Sequence, residues 1–329
     1  MELDKVKETP YEICKFPHNA RNTYQVVEPN YKITKPTVIS FGGNFTCTGK
    51  HASGMSNIVA NLLGMKPKTH NNQIATFDDV ELLGISYGKL RYAENTTMND
   101  DEIKDLCNRL FVSLVVDDNG NRLDLETAMK NASMVTLFNH CYGAQVADEV
   151  MLEFMCRLSE VGYSADEIHK ITSQITAVSY APMNNIHCGA HLMIHSYQDM
   201  VIPEGIIRGP KRLDGVCVVR GRNNEYTMWS SRLANGMQGD VDEHCVSRIH
   251  RNENWQHETN VRHMPTYLGK NADAVSQIAA CVLAENVATS IRNYYSNTFT
   301  PKPTSSEMVA MCNNVLESFN PDDLSMKYD

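Results

Sequence analysis

The residues best equipped for chemistry lie in one short stretch. Met134-Val135-Thr136-Leu137-Phe138 is an apolar, partly β-branched run; Asn139-His140-Cys141-Tyr142-Gly143 follows it directly, and an apolar helical stripe begins at once. A buried strand, a five-residue turn and a helix set the middle residue of the turn above the edge of a sheet. That residue is Cys141. A lone cysteine is more often a buried, inert core residue; the strand–turn–helix setting is what argues otherwise. A helix amino terminus and a neighbouring imidazolium both favour a thiolate. The chemistry would be attack on a carbonyl carbon, giving a covalent acyl-thioester.

A second group of potential ligands is His187, Cys188, His191 and His195, with His244 and Cys245 further on. The H-x-x-x-H spacing binds metal when both histidines share a helix face. Here Gly189 and the β-like run after it argue for a strand, on which residues 191, 193 and 195 share one face. Such histidines more often pack or hydrogen-bond than ligate, so no metal is expected. Phosphate cradles are missing too: Phe41-Gly42-Gly43-Asn44 lacks the Lys-Ser/Thr ending of a P-loop, and no G-x-G-x-x-G opens a helix. No cofactor is implied.

These residues need elements to position them. Strands are predicted at Thr37 to Phe41, Val80 to Tyr87, Met134 to Phe138, Ile175 to Tyr180 and His191 to Tyr197. Helices are predicted from the stripe Met55, Ile58, Val59, Leu62, from Asp100 to Val115 with acidic residues in its first turn, and from the stripe Val146, Val150, Phe154, Leu158 ending at Gly162. Ser164 with Glu167, and Thr304 with Glu307, form capping-box patterns opening two short helices, and Ala272 to Ile291 is a long one. Val216 to Val219 and Tyr226 to Trp229 suggest a hairpin. Strands alternating with helices imply an α/β fold, a doubly wound and mainly parallel sheet covered on both faces. Ligands bind such sheets beyond the carboxyl ends of the strands, where Gly42, Cys141 and Asp199 fall.

The turn Asn139-His140-Cys141-Tyr142-Gly143 resembles the nucleophile elbow of the α/β-hydrolase superfamily, G-x-S-x-G with cysteine in place of serine. Gly143 matches; Asn139 stands where the pattern has glycine, and its side chain is expected to press on a neighbour or hydrogen-bond within the turn. Ser40-Phe41-Gly42-Gly43-Asn44-Phe45 resembles the loop that supplies the superfamily's oxyanion hole, which implies the N–H groups of Gly43, Asn44 and Tyr142 in that role. Tyr197-Gln198-Asp199-Met200-Val201-Ile202-Pro203 resembles its acid loop, and Arg262-His263-Met264-Pro265 its terminal histidine loop. The resemblance implies a triad of Cys141, Asp199 and His263 in the superfamily's chain order. His244, His250 and His257 compete with His263 for the base. The implied activity is hydrolysis or transfer of an acyl group on an ester, thioester or amide, the substrate being a small or acyl-bearing molecule. The alternative is a non-catalytic protein of the same fold that uses the crevice for binding.

Composition bounds the remaining choices. The 329 residues carry a net charge of −9, without the basic footprint of a nucleic-acid binder. No apolar run approaches the ~20 residues a membrane span needs. Met1 to Pro10 is charged and lacks the apolar centre of a secretory signal. The ten cysteines show no C-x-x-C pair, which reads as reduced thiols in the cytoplasm, whether the chain's own cell's or another's. The expected organisation is an N-terminal arm over residues 1–35, an α/β-hydrolase-like domain over 36–300 with a lid-like insertion at about 204–262, and a tail over 301–329 with a short helix. Oligomeric state leaves no mark in the sequence.

Overall fold

The computed structural model describes residues 11–16, 24–43, 49–64, 79–87, 98–196, 216–220, 225–230 and 272–319. The strands in chain order are β1 (Glu12–Lys15), β2 (Gln25–Val26), β3 (Thr37–Phe41), β4 (Glu81–Ser86), β5 (Val135–His140), β6 (Thr176–Tyr180), β7 (His191–Ser196), β8 (Val216–Arg220) and β9 (Glu225–Ser230). The helices are α1 (Gly49–Leu62), α2 (Asp100–Leu110), α3 (Leu125–Ala132), α4 (Tyr142–Glu160), α5 (Ala165–Thr172), α6 (Ala272–Tyr295) and α7 (Ser305–Glu317). All nine strands join one sheet in the order β2-β1-β4-β3-β5-β6-β7-β9-β8. From β4 to β9 every neighbouring pair is parallel. The outer pairs β1–β4, β1–β2 and β8–β9 are antiparallel. The chain is therefore an α/β protein with a mostly parallel, mixed sheet.

Both faces of the sheet are covered, and for that reason β3 and β6 are buried along their whole length. Ile39, Phe41, Leu137 and Ala177 point to one face, against Leu106 and Leu110 of α2, Ala128 of α3, Val150 and Phe154 of α4 and Ile171 of α5. Val38, Phe138, Val178 and Leu192 point to the other, against Val59 of α1, Val275, Ile278 and Val282 of α6 and Met308 of α7. The capping boxes read at Ser164/Glu167 and Thr304/Glu307 are both formed. A third, Asn99 with Glu102, opens α2. No helix among the described residues is long and apolar enough to cross a membrane.

The order of the strands creates one crevice. From β3 the chain passes through α1 to β4 on one side; it then returns through α2 and α3 to β5 on the other side of β3. The connections that follow β3 and β5 run in opposite directions, to β4 and to β6, so the carboxyl ends of β3 and β5 flank a topological switch point. Gly42 and Gly43 follow β3 there, and Cys141 follows β5.

Some elements differ from the sequence reading. Residues 12–15 and 25–26, in the stretch read as an arm, are the last two strands at one side of the sheet, and Tyr11, Ile13 and Cys14 are buried. Arg109 of α2 stacks on the Tyr11 ring and donates to the Val27 carbonyl, fastening this segment to the core. The helix predicted to Val115 stops at Leu110 and gives way to a short 3₁₀ turn over Val112–Leu114. The eight-residue α3 was not anticipated: only Ala128 and Ala132 of it are buried, too sparse a stripe to read. The expected hairpin is present as β8 and β9; the rest of the predicted insertion at 204–262 lies outside the described residues.

The segment after α6 is fastened by a buried lysine. The Lys302 side-chain nitrogen lies within hydrogen-bond reach of the Asn286 carbonyl, of Ser290 Oγ at 2.7 Å and of Thr136 Oγ1 at 3.3 Å, and its backbone N–H donates to Gln174 Oε1 at 3.0 Å. Among the described residues no carboxylate bonds to it, and burial holds its pKa well below the usual lysine range. The unfolded chain keeps this proton to about pH 10.4. Between the folded and unfolded values the unfolded state binds the extra proton, so stability rises with pH across that window. Thermal unfolding from about pH 7 to about pH 9 should show wild type gaining stability relative to Lys302→Met. A pH-independent difference would mean that the amine stays charged in the folded protein.

Candidate active site

Cys141 links β5 to α4 with φ 53° and ψ −126°. Only one other non-glycine residue among those described has a positive φ, Ala181 at 44° just past β6. This conformation is sparsely populated for residues with a Cβ and persists only where the surroundings impose it. The surroundings here are specific. The Cys141 N–H donates to the Tyr180 carbonyl at the end of β6, and its carbonyl accepts from Ala144 in the first turn of α4. Gly143 lets α4 approach β3: a Cβ at that position would lie 2.2 Å from the Phe41 oxygen and 2.5 Å from the Gly42 oxygen. Both clashes are with backbone, so no rotamer change relieves them. The Cys141 side chain is partly exposed.

The candidate oxyanion loop adjoins the turn. A Cβ placed on Gly43 would be 3.3 Å from Cys141 Cβ and 3.2 Å from His140 Nδ1, so the end of β3 and the elbow touch. Tyr142, the first residue of α4, is buried. The structure thus brings Cys141, Gly43 and Tyr142 to one edge of the crevice. Asn44, Asp199 and His263 lie outside the described residues, as do His244, His250 and His257.

Asn139 does not bond within the turn. Its carboxamide is fully buried and donates to Ser179 Oγ on β6 at 3.0 Å, across the Asn139–Ser179 register pair. Ser179 Oγ lies 2.8 Å from His191 Nε2, and His191 Nδ1 lies 2.8 Å from Asn185 Oδ1. A carboxamide oxygen accepts, which puts the proton on Nδ1 and leaves Nε2 to accept from the serine hydroxyl; the Ile186 N–H, 3.3 Å from Nδ1, has its shorter bond to Asn185 Oδ1 at 2.9 Å. Burial pushes the His191 pKa down to about 3, so the imidazole is neutral. Ser179, His191 and Asn185 repeat the connectivity of a hydrolytic triad, but Ser179 and His191 are wholly enclosed and no substrate atom can reach the serine. Their role is to tie β5, β6, β7 and the β6–β7 connection together beneath the elbow.

Of the other histidine and cysteine candidates, His195 is buried on β7 and Cys245 lies outside the described residues. His187 Nδ1 lies 2.8 Å from Asp148 Oδ1 of α4, which also accepts the His187 backbone N–H; Asn184 donates to the other carboxylate oxygen. This clamp holds the β6–β7 connection against α4. Cys188 is buried, and burial pushes its thiol far above the usual range. No group of three or more His, Cys, Asp or Glu among the described residues is disposed to hold a metal ion.

One residue near the site escaped the sequence reading. Tyr87 follows β4, and its hydroxyl donates to the Gly42 carbonyl at 3.1 Å while its ring packs edge-on against Tyr142, centroids 6.0 Å apart. A signal existed: β3 and β4 pair in parallel with Phe41 opposite Ile85, and two residues further along each chain stand Gly43 and Tyr87.

The strained turn makes opposite predictions for two neighbouring positions. Cys141→Gly should raise stability by about 1 kcal/mol, because glycine adopts this backbone without the Cβ clash. Gly143→Ala should lower it by about 3 kcal/mol, since the new methyl meets two carbonyl oxygens. Chemical denaturation of both variants checks the pair; a destabilised Cys141→Gly would mean the turn stores no strain.

No protein-family model matches the chain, and no curated protein matches it in sequence.

Proposed function

We propose that the chain is an α/β-hydrolase-like acyl hydrolase or acyltransferase with Cys141 as its nucleophile. The observation that carries this reading is the Cys141 backbone. A partly exposed thiol is held at φ 53° and ψ −126° between a buried parallel strand and a helix, at the switch point of the sheet. Strain of this kind accompanies nucleophile elbows, and here it leaves a partly exposed thiol at the carboxyl edge of the sheet. The adjoining Gly43 and the all-parallel run of strands from β4 to β9 support the same resemblance.

In this reading Cys141 Sγ attacks a carbonyl carbon, and its proton passes to His263. Backbone N–H groups of Gly43, Asn44 and Tyr142 receive the negative charge that develops on the carbonyl oxygen. Collapse of the tetrahedral adduct breaks the bond to the leaving alkoxide, thiolate or amine, which takes the proton from His263. The acyl group is then a thioester on Cys141. Water or a second acceptor attacks that thioester, His263 removes the acceptor's proton, and the thiol returns. Asp199 orients the imidazole throughout. Buried Asn139, Ser179 and His191 give β5 a firm anchor from which the turn departs.

Limited alkylation with iodoacetamide followed by peptide mapping should label Cys141 before the other nine cysteines of the ten. With an activated thioester as substrate, His263→Ala should lower turnover about a thousandfold or more, while His250→Ala and His257→Ala change it little. Loss of turnover in one of those two, with His263→Ala active, would move the base elsewhere. An unreactive Cys141 in the native protein would favour the non-catalytic, ligand-binding alternative.

A further inference from the structure

We infer that Tyr87 is a positioning residue for the oxyanion pocket: its buried hydroxyl orients the Gly42–Gly43 peptide so that the Gly43 N–H is presented beside Cys141. The inference rests on the acyl-transfer reading above and adds to it a residue from a strand that carries none of the triad.

Glycine pairs are the least constrained segments a chain has, because neither residue carries a Cβ. The carbonyl oxygen of Gly42 and the N–H of Gly43 belong to one planar trans peptide and point in opposite directions. Fixing one therefore fixes the other. The Tyr87 hydroxyl donates to the Gly42 oxygen from within the core, at a residue only 4% exposed. The same carbonyl faces Gly143, whose missing side chain makes room for it. Gly43 meanwhile abuts Cys141 and His140. The peptide is thus held from behind by a phenol and a helix, with its N–H on the opposite side.

Tyr87 also packs against the residue that carries the second donor. Its ring lies edge-on to Tyr142, whose backbone N–H is the other candidate donor among the described residues. One side chain at the end of β4 therefore bonds to the Gly42 carbonyl and packs against the side chain of Tyr142. Burial, with smaller contributions from Tyr142 and Cys141, holds the phenol well above its ordinary pKa, so it remains a donor at all working pH values. An oxyanion donor contributes to rate only if its direction is fixed before charge develops. A peptide between two glycines has no such direction of its own.

Tyr87→Phe removes the O–H and keeps the ring against Tyr142. Two reactions of Cys141 separate a positioning role from a structural one. Acylation by an activated thioester builds charge on a carbonyl oxygen; alkylation by iodoacetamide displaces iodide from a saturated carbon and builds none. In Tyr87→Phe the acylation rate should fall about tenfold, less than the 10²–10³ that removing a donor outright costs. The alkylation rate should stay at the wild-type value. Equal losses in both reactions would show that Tyr87 merely shapes the elbow, and unchanged acylation would show that the Gly42–Gly43 peptide needs no support; either overturns the inference. Wild-type protein whose Cys141 is alkylated but never acylated would overturn the acyl-transfer reading itself, a result distinct from both.

Discussion

The close approach of α4 to the end of β3 governs everything around Cys141. Gly143 lies so near the Phe41 and Gly42 carbonyl oxygens that a single methyl group would overlap both. With the helix pressed that far down, the chain leaving β5 has no room for an ordinary strand-to-helix turn. Cys141 absorbs the whole change of direction, with its N–H taken by Tyr180 and its carbonyl by Ala144. The side chain is thereby left at the outside of the bend. Packing elsewhere sustains the strain: Val146, Val150, Phe154 and Leu158 of α4 are fully buried, each contributing roughly 1.5–3 kcal/mol relative to exposure, against the ~1–3 kcal/mol such a backbone conformation costs.

Beneath the elbow the protein departs from the economy of an apolar core. Asn139, Ser179, His191 and Asn185 form a hydrogen-bonded row across three strands and the following connection. A neutral imidazole suits this place, since it both donates and accepts. The row explains why a side chain at Asn139 is tolerated where the superfamily's pattern has glycine: it turns away from the elbow, to a partner on the adjacent strand. A polar row of this kind also specifies register, because a slip of β6 by one residue would move Ser179 to the opposite face.

Much of this architecture was legible in the sequence, and the reasons are physical. Fully buried parallel strands read as unbroken apolar runs, and β3, β5 and β6 were found that way. Helices with a continuous stripe, such as α4, and those with reciprocal caps at Ser164 and Thr304 announced their own limits. The places of Cys141 and Gly143 in the turn between β5 and α4, and of Gly43 after β3, follow from local context, since a strand-to-helix turn is a local feature. What stayed hidden depends on contacts distant in sequence. β1 is four residues long with two buried, and its pairing with β4 and β2 makes it a strand. The bonds of His191 to Ser179 and Asn185 cannot be inferred from spacing that equally suits a metal site. The bond from Tyr87 to Gly42 depends on a register between β3 and β4 that no linear pattern displays.

The central claim is that Cys141 forms a covalent acyl-thioester. Its most direct test is the intact mass of the protein after brief exposure to p-nitrophenyl acetate and quenching in acid. The account predicts a mass increase of one acetyl group, located at Cys141 by peptide mapping, discharged by hydroxylamine and missing in Cys141→Ala. Acetylation at another residue, or none while Cys141→Ala and wild type hydrolyse the ester at the same rate, would contradict it.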